Sequence, residues 1–225
     1  MKKLLAAIIA AALLLSGCSL SSRPAVSAPP AETPSPSPTP IVTPTPAPEP
    51  SDDELVLVRD YIPGIFIDLK YATTDNFTGQ VIYDSDEAYL RYGTVKKLLC
   101  AQNELSGRGL SLKIWDAYRP VSAQFKLWEI CPNPVYVSDP NNGYSKHSRA
   151  NTVDITLVTS TGESIPMPSG FDDFTSLADR DYSDVSAEAA ENARLLESIM
   201  VENGFVPYSG EWWHYSDSVS YDVYG

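Results

Sequence analysis

His147 and His214 are the two histidines of this 225-residue chain, and each stands beside acids at spacings that suit metal chemistry. The first lies in Tyr144-Ser145-Lys146-His147-Ser148-Arg149-Ala150-Asn151-Thr152-Val153-Asp154, with Asp154 seven residues further on. The second ends Glu211-Trp212-Trp213-His214. Two imidazoles and a carboxylate form a ligand set typical of a catalytic zinc, which takes three protein ligands and keeps a fourth position for water. His147, Asp154 and His214 are therefore the candidate ligands, and Glu211 is a candidate base for such a water. The same residues also admit a plain structural role: His147 in a serine-rich surface loop, His214 half-buried among aromatics, Asp154 as a cap. The scarcity of histidine and the nearby acids weigh against that alternative.

The elements that must position these residues can be read from patterning. Thr152 to Val158 alternates as a strand, which puts Asp154 on one face with Thr152 and Thr156. Leu110 to Ala117 is another strand, running into Asp116-Ala117-Tyr118-Arg119-Pro120, and a helix is expected from Val121 to about Ile130. Arg119, at a strand end before a proline, is placed to project into a site. Ser186 to Asn203 has a serine cap, apolar residues at helical spacing and Gly204 as terminator. Phe205 to Tyr208 and Trp212 to Tyr215 read as a final strand pair around Ser209-Gly210, and Leu55 to Val58 and Ile65 to Tyr71 as strands nearer the start. A helix is expected over about Asp86 to Leu105. Asn133 to Tyr144 and Gly162 to Tyr182 are long irregular stretches, of the kind that often carry function. Strands and helices mix without a βαβ rhythm, so the fold class is α+β: a single domain with a mostly antiparallel sheet flanked by helices. On a regular strand Glu211 and His214 would point to opposite faces, so a bend after Gly210 or through the tryptophans is required to bring them together.

The rest of the chain bears on location. Met1-Lys2-Lys3, an apolar run from Leu4 to Leu15 and Leu15-Ser16-Gly17-Cys18 make an export signal over 1–17, too short to span a bilayer permanently. Its end resembles a bacterial lipobox, which implies lipid on Cys18 and attachment to the outer, or periplasmic-side, face of the cytoplasmic membrane. Residues 18–51 are nearly all Pro, Ser, Thr and Ala beyond Cys18 and read as an extended, disordered stalk. Residues 52–225 then make the folded domain. Acids outnumber bases 29 to 16, for a net charge of −13, so nucleic acid is not an expected partner. Cys100 and Cys131 form an even pair that could be bridged outside the cell or stay as two thiols.

Ser145-x-His147-x-x-Ala150-x-Thr152-x-Asp154 with Glu211-x-x-His214 resembles the paired zinc signature of the D,D-peptidases that include the VanX-type D-alanyl-D-alanine dipeptidases. The likeness continues in Asp68-Leu69-Lys70-Tyr71-Ala72-Thr73, Asp75-Asn76-Phe77-Thr78-Gly79 and Trp115-Asp116-Ala117-Tyr118-Arg119-Pro120, and so spans most of the domain. It implies the hedgehog/D,D-peptidase-like fold and one zinc per chain on His147, Asp154 and His214. It further implies Glu211 as general base, Arg119 stabilising the oxyanion, and Ser145, Tyr71 and Asp172 shaping the pocket for the peptide and its amine. The implied reaction is hydrolysis of D-Ala-D-Ala in peptidoglycan metabolism. Alternatives are a D,D-carboxypeptidase or endopeptidase acting on longer stems, or a non-catalytic wall-binding lipoprotein. The chain departs from the family pattern at Ala150, where glycine is usual, and at Thr152, where alanine is usual; altered packing is expected there.

Overall fold

A computed structural model describes residues 48–225. The export signal at 1–17, Cys18 and nearly all of the proline-rich stalk lie outside the described residues. In chain order, β1 (Leu55–Leu57) leads into the short helix α1 (Val58–Tyr61), then come β2 (Phe66–Ile67), β3 (Tyr89–Arg91) and helix α2 (Tyr92–Ser106). Strand β4 (Leu110–Asp116) and helix α3 (Val121–Ile130) follow, then β5 (Thr152–Thr159), helix α4 (Ala187–Glu202), β6 (Phe205–Tyr208) and β7 (Glu211–Asp217).

The main sheet has the order β2-β4-β5-β7-β6, with β2 parallel to β4 and the other pairs antiparallel, while β1 and β3 make a separate antiparallel pair. An α+β fold with a mostly antiparallel sheet is what the patterning predicts. The long elements follow their signals closely. Helix α3 covers the expected span, and α4 starts after Ser186, whose hydroxyl accepts from the Ala189 amide as an N-cap does.

Two short elements differ. The expected strand from Ile65 to Tyr71 shrinks to two residues, and the chain then turns through a 3-10 segment at Lys70–Ala72 that buries Tyr71. The expected helix from Asp86 begins only at Tyr92, because Tyr89 to Arg91 pair with β1 instead. Apolar residues at helical spacing cannot distinguish these cases when a strand of three residues abuts a helix.

Strand β5 is buried along almost its whole length, which is what a central strand covered on both faces requires. Val153, Ile155 and Leu157 join the apolar core with Leu98 and Leu105 of α2 and Leu196 and Met200 of α4. Burying the twelve largest enclosed side chains, Trp212 and Trp213 among them, contributes about 1.5–3 kcal/mol each for the aliphatic members. The opposite face of β5 carries the buried Thr152, Asp154 and Thr156. That polar face is where the site forms.

Candidate metal centre and active-site cleft

Asp154 occupies the middle of a cross-strand row. It pairs with Asp116 of β4 on one side and with His214 of β7 on the other. Residues opposite one another on neighbouring antiparallel strands share a face, so the row brings three polar side chains together. A bulge makes this possible. Lys113 faces Thr156 and Ile114 faces Ile155, and regular alternation would then set Trp115 against Asp154; the extra residue sets Asp116 there. A bulge re-aims a side chain in this way at the cost of one ladder position.

A second irregularity answers the question of how Glu211 and His214 meet. Pro207 pairs with Tyr215, but the next residue, Tyr208, pairs with Glu211, so β7 spends four steps where β6 spends one. Alternation is lost across Trp212 and Trp213, both of which are fully buried. Glu211 Oε2 consequently lies 3.5 Å from His214 Nδ1.

His147 comes from a 3-10 turn, Lys146–Arg149, capped by Ser145, whose hydroxyl accepts from the His147 amide. The turn ends at Ala150, which adopts the left-handed region at φ 58° and ψ 28°. The usual glycine of the family therefore answers a backbone need, beyond the packing expected from sequence. The last residues brace this turn from outside. The Tyr224 amide donates to Ser148 O at 2.9 Å, Arg149 donates to Tyr221 O at 2.7 Å, and Arg91 donates to Asp222 O at 2.8 Å and to Arg149 O at 3.1 Å.

The donor atoms converge. One atom from each of His147, Asp154 and His214 lies within 4.8 Å of the other two. His214 Nδ1 is 2.9 Å from Asp154 Oδ1, and His147 Nε2 is 3.3 Å from Asp154 Oδ2. His147 Nδ1 lies 2.8 Å from Ala117 O, which can only accept, so that nitrogen carries the proton. In a neutral imidazole Nε2 then offers a lone pair facing a carboxylate oxygen. Either a proton on Nε2 or a metal ion can bridge that pair, and two imidazole nitrogens with one carboxylate oxygen suit a divalent metal such as zinc. The residues present fit the ion.

Electrostatics agree with a site built around positive charge. Burial alone would raise the Asp154 pKa, but His147 and His214 hold it far below the ordinary value. Burial disfavours charge on His147, yet Asp154 and Asp116 more than offset it; on His214 burial prevails over Asp154 and its pKa is lowered. Burial, with the charges of Asp154 and Asp172, pushes Glu211 up to about 8, although its side chain is 35% exposed to the cleft. Burial raises Asp172 to about 7 against the effect of a 2.6 Å hydrogen bond from Tyr71 Oη.

Tyr71, Arg119, Ser145, His147, Asp154, Asp172, Glu211 and His214 all line one cleft of about 280 Å³, and Pro134–Ser138, Lys146 and Tyr208 complete its wall. Every site residue singled out in the folded domain is thus brought to one place. A larger groove of about 410 Å³, lined by Leu55, Ile82, Tyr83, Tyr89, Tyr118 and Pro120, holds no comparable donor set. Patterning missed Asp116, Tyr83 and Gln124. The fully buried Asp116 accepts from Tyr83 Oη at 2.5 Å, from the Ala117 amide at 2.8 Å, and from Arg119 Nη2 and Nε at 2.6 and 3.2 Å. Gln124 takes a further Arg119 donor at 3.0 Å, and Tyr71 lies under the guanidinium at 5.0 Å. The three-residue spacing of Asp116 and Arg119 was the available signal for this pair. Cys100 and Cys131 are both free, which resolves the cysteine alternatives in favour of thiols.

Comparison with known proteins agrees with this geometry. A peptidase family profile described as D-ala-D-ala dipeptidase matches residues 51–221. A D-alanyl-D-alanine dipeptidase of Escherichia coli strain K12 is 40% identical over 162 residues, covering 72% of this chain and 83% of its own. Dipeptidases of the same name from Enterococcus faecium and Streptomyces coelicolor are 36% and 37% identical, covering 68% and 72% of this chain and 86% and 91% of theirs. A solved structure, VanYB in complex with D-alanine-D-alanine, aligns over 59% of this chain and 74% of its own at 16% identity with a TM-score of 0.39, a likeness too loose to bear on function. With the profile spanning the folded domain and relatives this similar along most of their length, the chain belongs to the D-alanyl-D-alanine dipeptidase family of metallopeptidases.

Proposed function

We propose that this protein is a zinc-dependent dipeptidase that hydrolyses D-alanyl-D-alanine outside the cytoplasmic membrane, where a lipid on Cys18 anchors it. The observation that carries this reading is the convergence of His147, Asp154 and His214 beside Glu211 in one small cleft. His147, Asp154 and His214 would hold the ion. A divalent ion there supplies Lewis acidity to a water and to the scissile carbonyl, and its charge favours the carboxylate form of Glu211. Glu211 takes a proton from the attacking water and delivers one to the leaving amine. Arg119 offers fixed positive charge to the developing oxyanion, because Asp116, Gln124 and Tyr71 hold it in place before substrate arrives. Asp172, hydrogen-bonded to Tyr71, receives the substrate ammonium, whose charge would draw its pKa down again; Ser145 lines the wall nearby.

A cleft of about 280 Å³ has room for a dipeptide. The test is D-alanine release from D-Ala-D-Ala and from a pentapeptide stem, each with and without a chelator. Chelator-sensitive release from the dipeptide is expected. Glu211→Gln should keep its zinc and lose about 10²–10⁴-fold in kcat. Efficient release from the pentapeptide alone would favour the carboxypeptidase alternative, and zinc-free protein that binds muropeptides would favour the non-catalytic one.

A further inference from the structure

Arg180 lies in the loop between β5 and α4 and is not part of the cleft wall. Its guanidinium nonetheless reaches both flanks of the irregular stretch of β7. Nε donates to Tyr208 O at 2.7 Å, and Nη2 donates to His214 O at 3.2 Å. The group is fixed from behind, where Nη1 donates to Glu197 Oε2 at 2.9 Å and to Tyr215 Oη at 3.1 Å. The guanidinium also lies over the Tyr215 ring, 4.6 Å from its centroid.

Between those two carbonyls runs the segment that carries Glu211 and His214, and within it the β6–β7 pairing slips. Side chains on a strand change face with every one-residue shift, so a slip of this kind is useful only if something holds it at one register. The two-residue turn Ser209-Gly210 is compatible with an ordinary hairpin and does not impose the slip by itself. A planar fork with donors in fixed directions can hold two carbonyls at once, which the single ammonium of a lysine does less well.

We propose that Arg180 is a positioning residue for the metal centre: by bridging the carbonyls of Tyr208 and His214, it locks the β7 irregularity that sets Glu211 and His214 on one side. The inference rests on His214 as a metal ligand and Glu211 as the base. Arg180 touches neither substrate nor ion and acts through the backbone of its two partners.

The test compares the full chain with Arg180→Ala and Arg180→Lys, using zinc affinity by competition with a chromogenic chelator and kinetics on D-Ala-D-Ala. Arg180→Ala is expected to weaken zinc binding about tenfold or more, as loss of an orienting partner does. Its kcat should fall about tenfold with KM within about twofold, since the geometry of base and ligand suffers more than the substrate pocket. Arg180→Lys should lie between. An open surface depression lined by Arg180, Tyr182, Arg194 and Glu197 gives access from solvent, so guanidinium ion at non-denaturing concentration should reach the space vacated in Arg180→Ala and restore part of its zinc affinity. Chelator competition needs no substrate, so a wild-type protein that binds zinc but leaves the dipeptide intact would overturn the proposed function without touching this inference. Folded Arg180→Ala with wild-type zinc affinity and kcat, and only a lower Tm, overturns the positioning role. If that variant does not fold, Arg180→Lys decides on the same two measurements.

Discussion

At the scale of single residues, two backbone positions with positive φ sit at the site, Ala150 and Asp172. For Ala150 three effects oppose one another. Glycine would relieve about 1 kcal/mol of left-handed strain, but it gives up a fully buried methyl worth about 0.8 kcal/mol and adds about 0.5–1 kcal/mol of unfolded-chain entropy. Ala150→Gly is therefore expected within about 1 kcal/mol of wild type in urea unfolding, with zinc retained, whereas the β-branched Ala150→Val should lose at least about 2 kcal/mol. A large gain from glycine would show that the strain outweighs the other two effects. Asp172 yields a prediction in pH. Its folded pKa, near 7, lies above the ordinary 3.8, so the folded state holds a proton that the unfolded chain releases between these values. Stability relative to Asp172→Asn should be unaffected below about pH 4, fall as pH rises to about 7 and level off above it. Thermal unfolding of both proteins across that range, in chelator, checks the sign; a difference that does not vary with pH would remove Asp172 as a strained carboxyl.

At the scale of elements, what could be read in the sequence was whatever obeys a period. Strand β5, helix α3 and the capped helix α4 repeat their pattern over seven or more residues and needed no tertiary information. Asp154 on the face of Thr152 and Thr156 followed from alternation alone. The two features that assemble the site break the period: Trp115 inserts a residue opposite β5, and Trp212 and Trp213 interrupt β7. Periodicity cannot foresee a bulge, so the partnership of Asp116 with Asp154 and the meeting of Glu211 with His214 were not derivable, although both sit in recognisable blocks. The closing segment after β7 was equally opaque, because its work is done by backbone carbonyls. Those of Tyr221, Asp222 and Tyr224 accept from Arg149, Arg91 and Tyr118, and the Tyr224 amide reaches Ser148 in the turn that presents His147. Ending the chain after Ser220 should cost about 2–4 kcal/mol, at about 1 kcal/mol for each bond lost, and should weaken zinc binding measured by chelator competition. Unchanged zinc affinity in that shortened protein would show that the turn holds His147 unaided.

At the scale of the whole molecule, charge bears on the proposed attachment. A net charge of −13 offers little electrostatic attraction to an anionic leaflet, so the proposed attachment would depend on a lipid at Cys18. Cys18→Ser should move the protein from the membrane to the soluble fraction on cell fractionation without altering turnover of the dipeptide; membrane retention of that variant would refute the anchor. The sheet order carries a consequence in time. His147 and Asp154 belong to the middle of the chain, while Glu211 and His214 lie on β7, the last strand of the described residues, and β7 inserts between β5 and β6. Neither the proposed ligand trio nor the proposed base comes together until that strand has been made and seated. A chain still being synthesised is therefore chemically silent, and hydrolysis begins only once folding finishes.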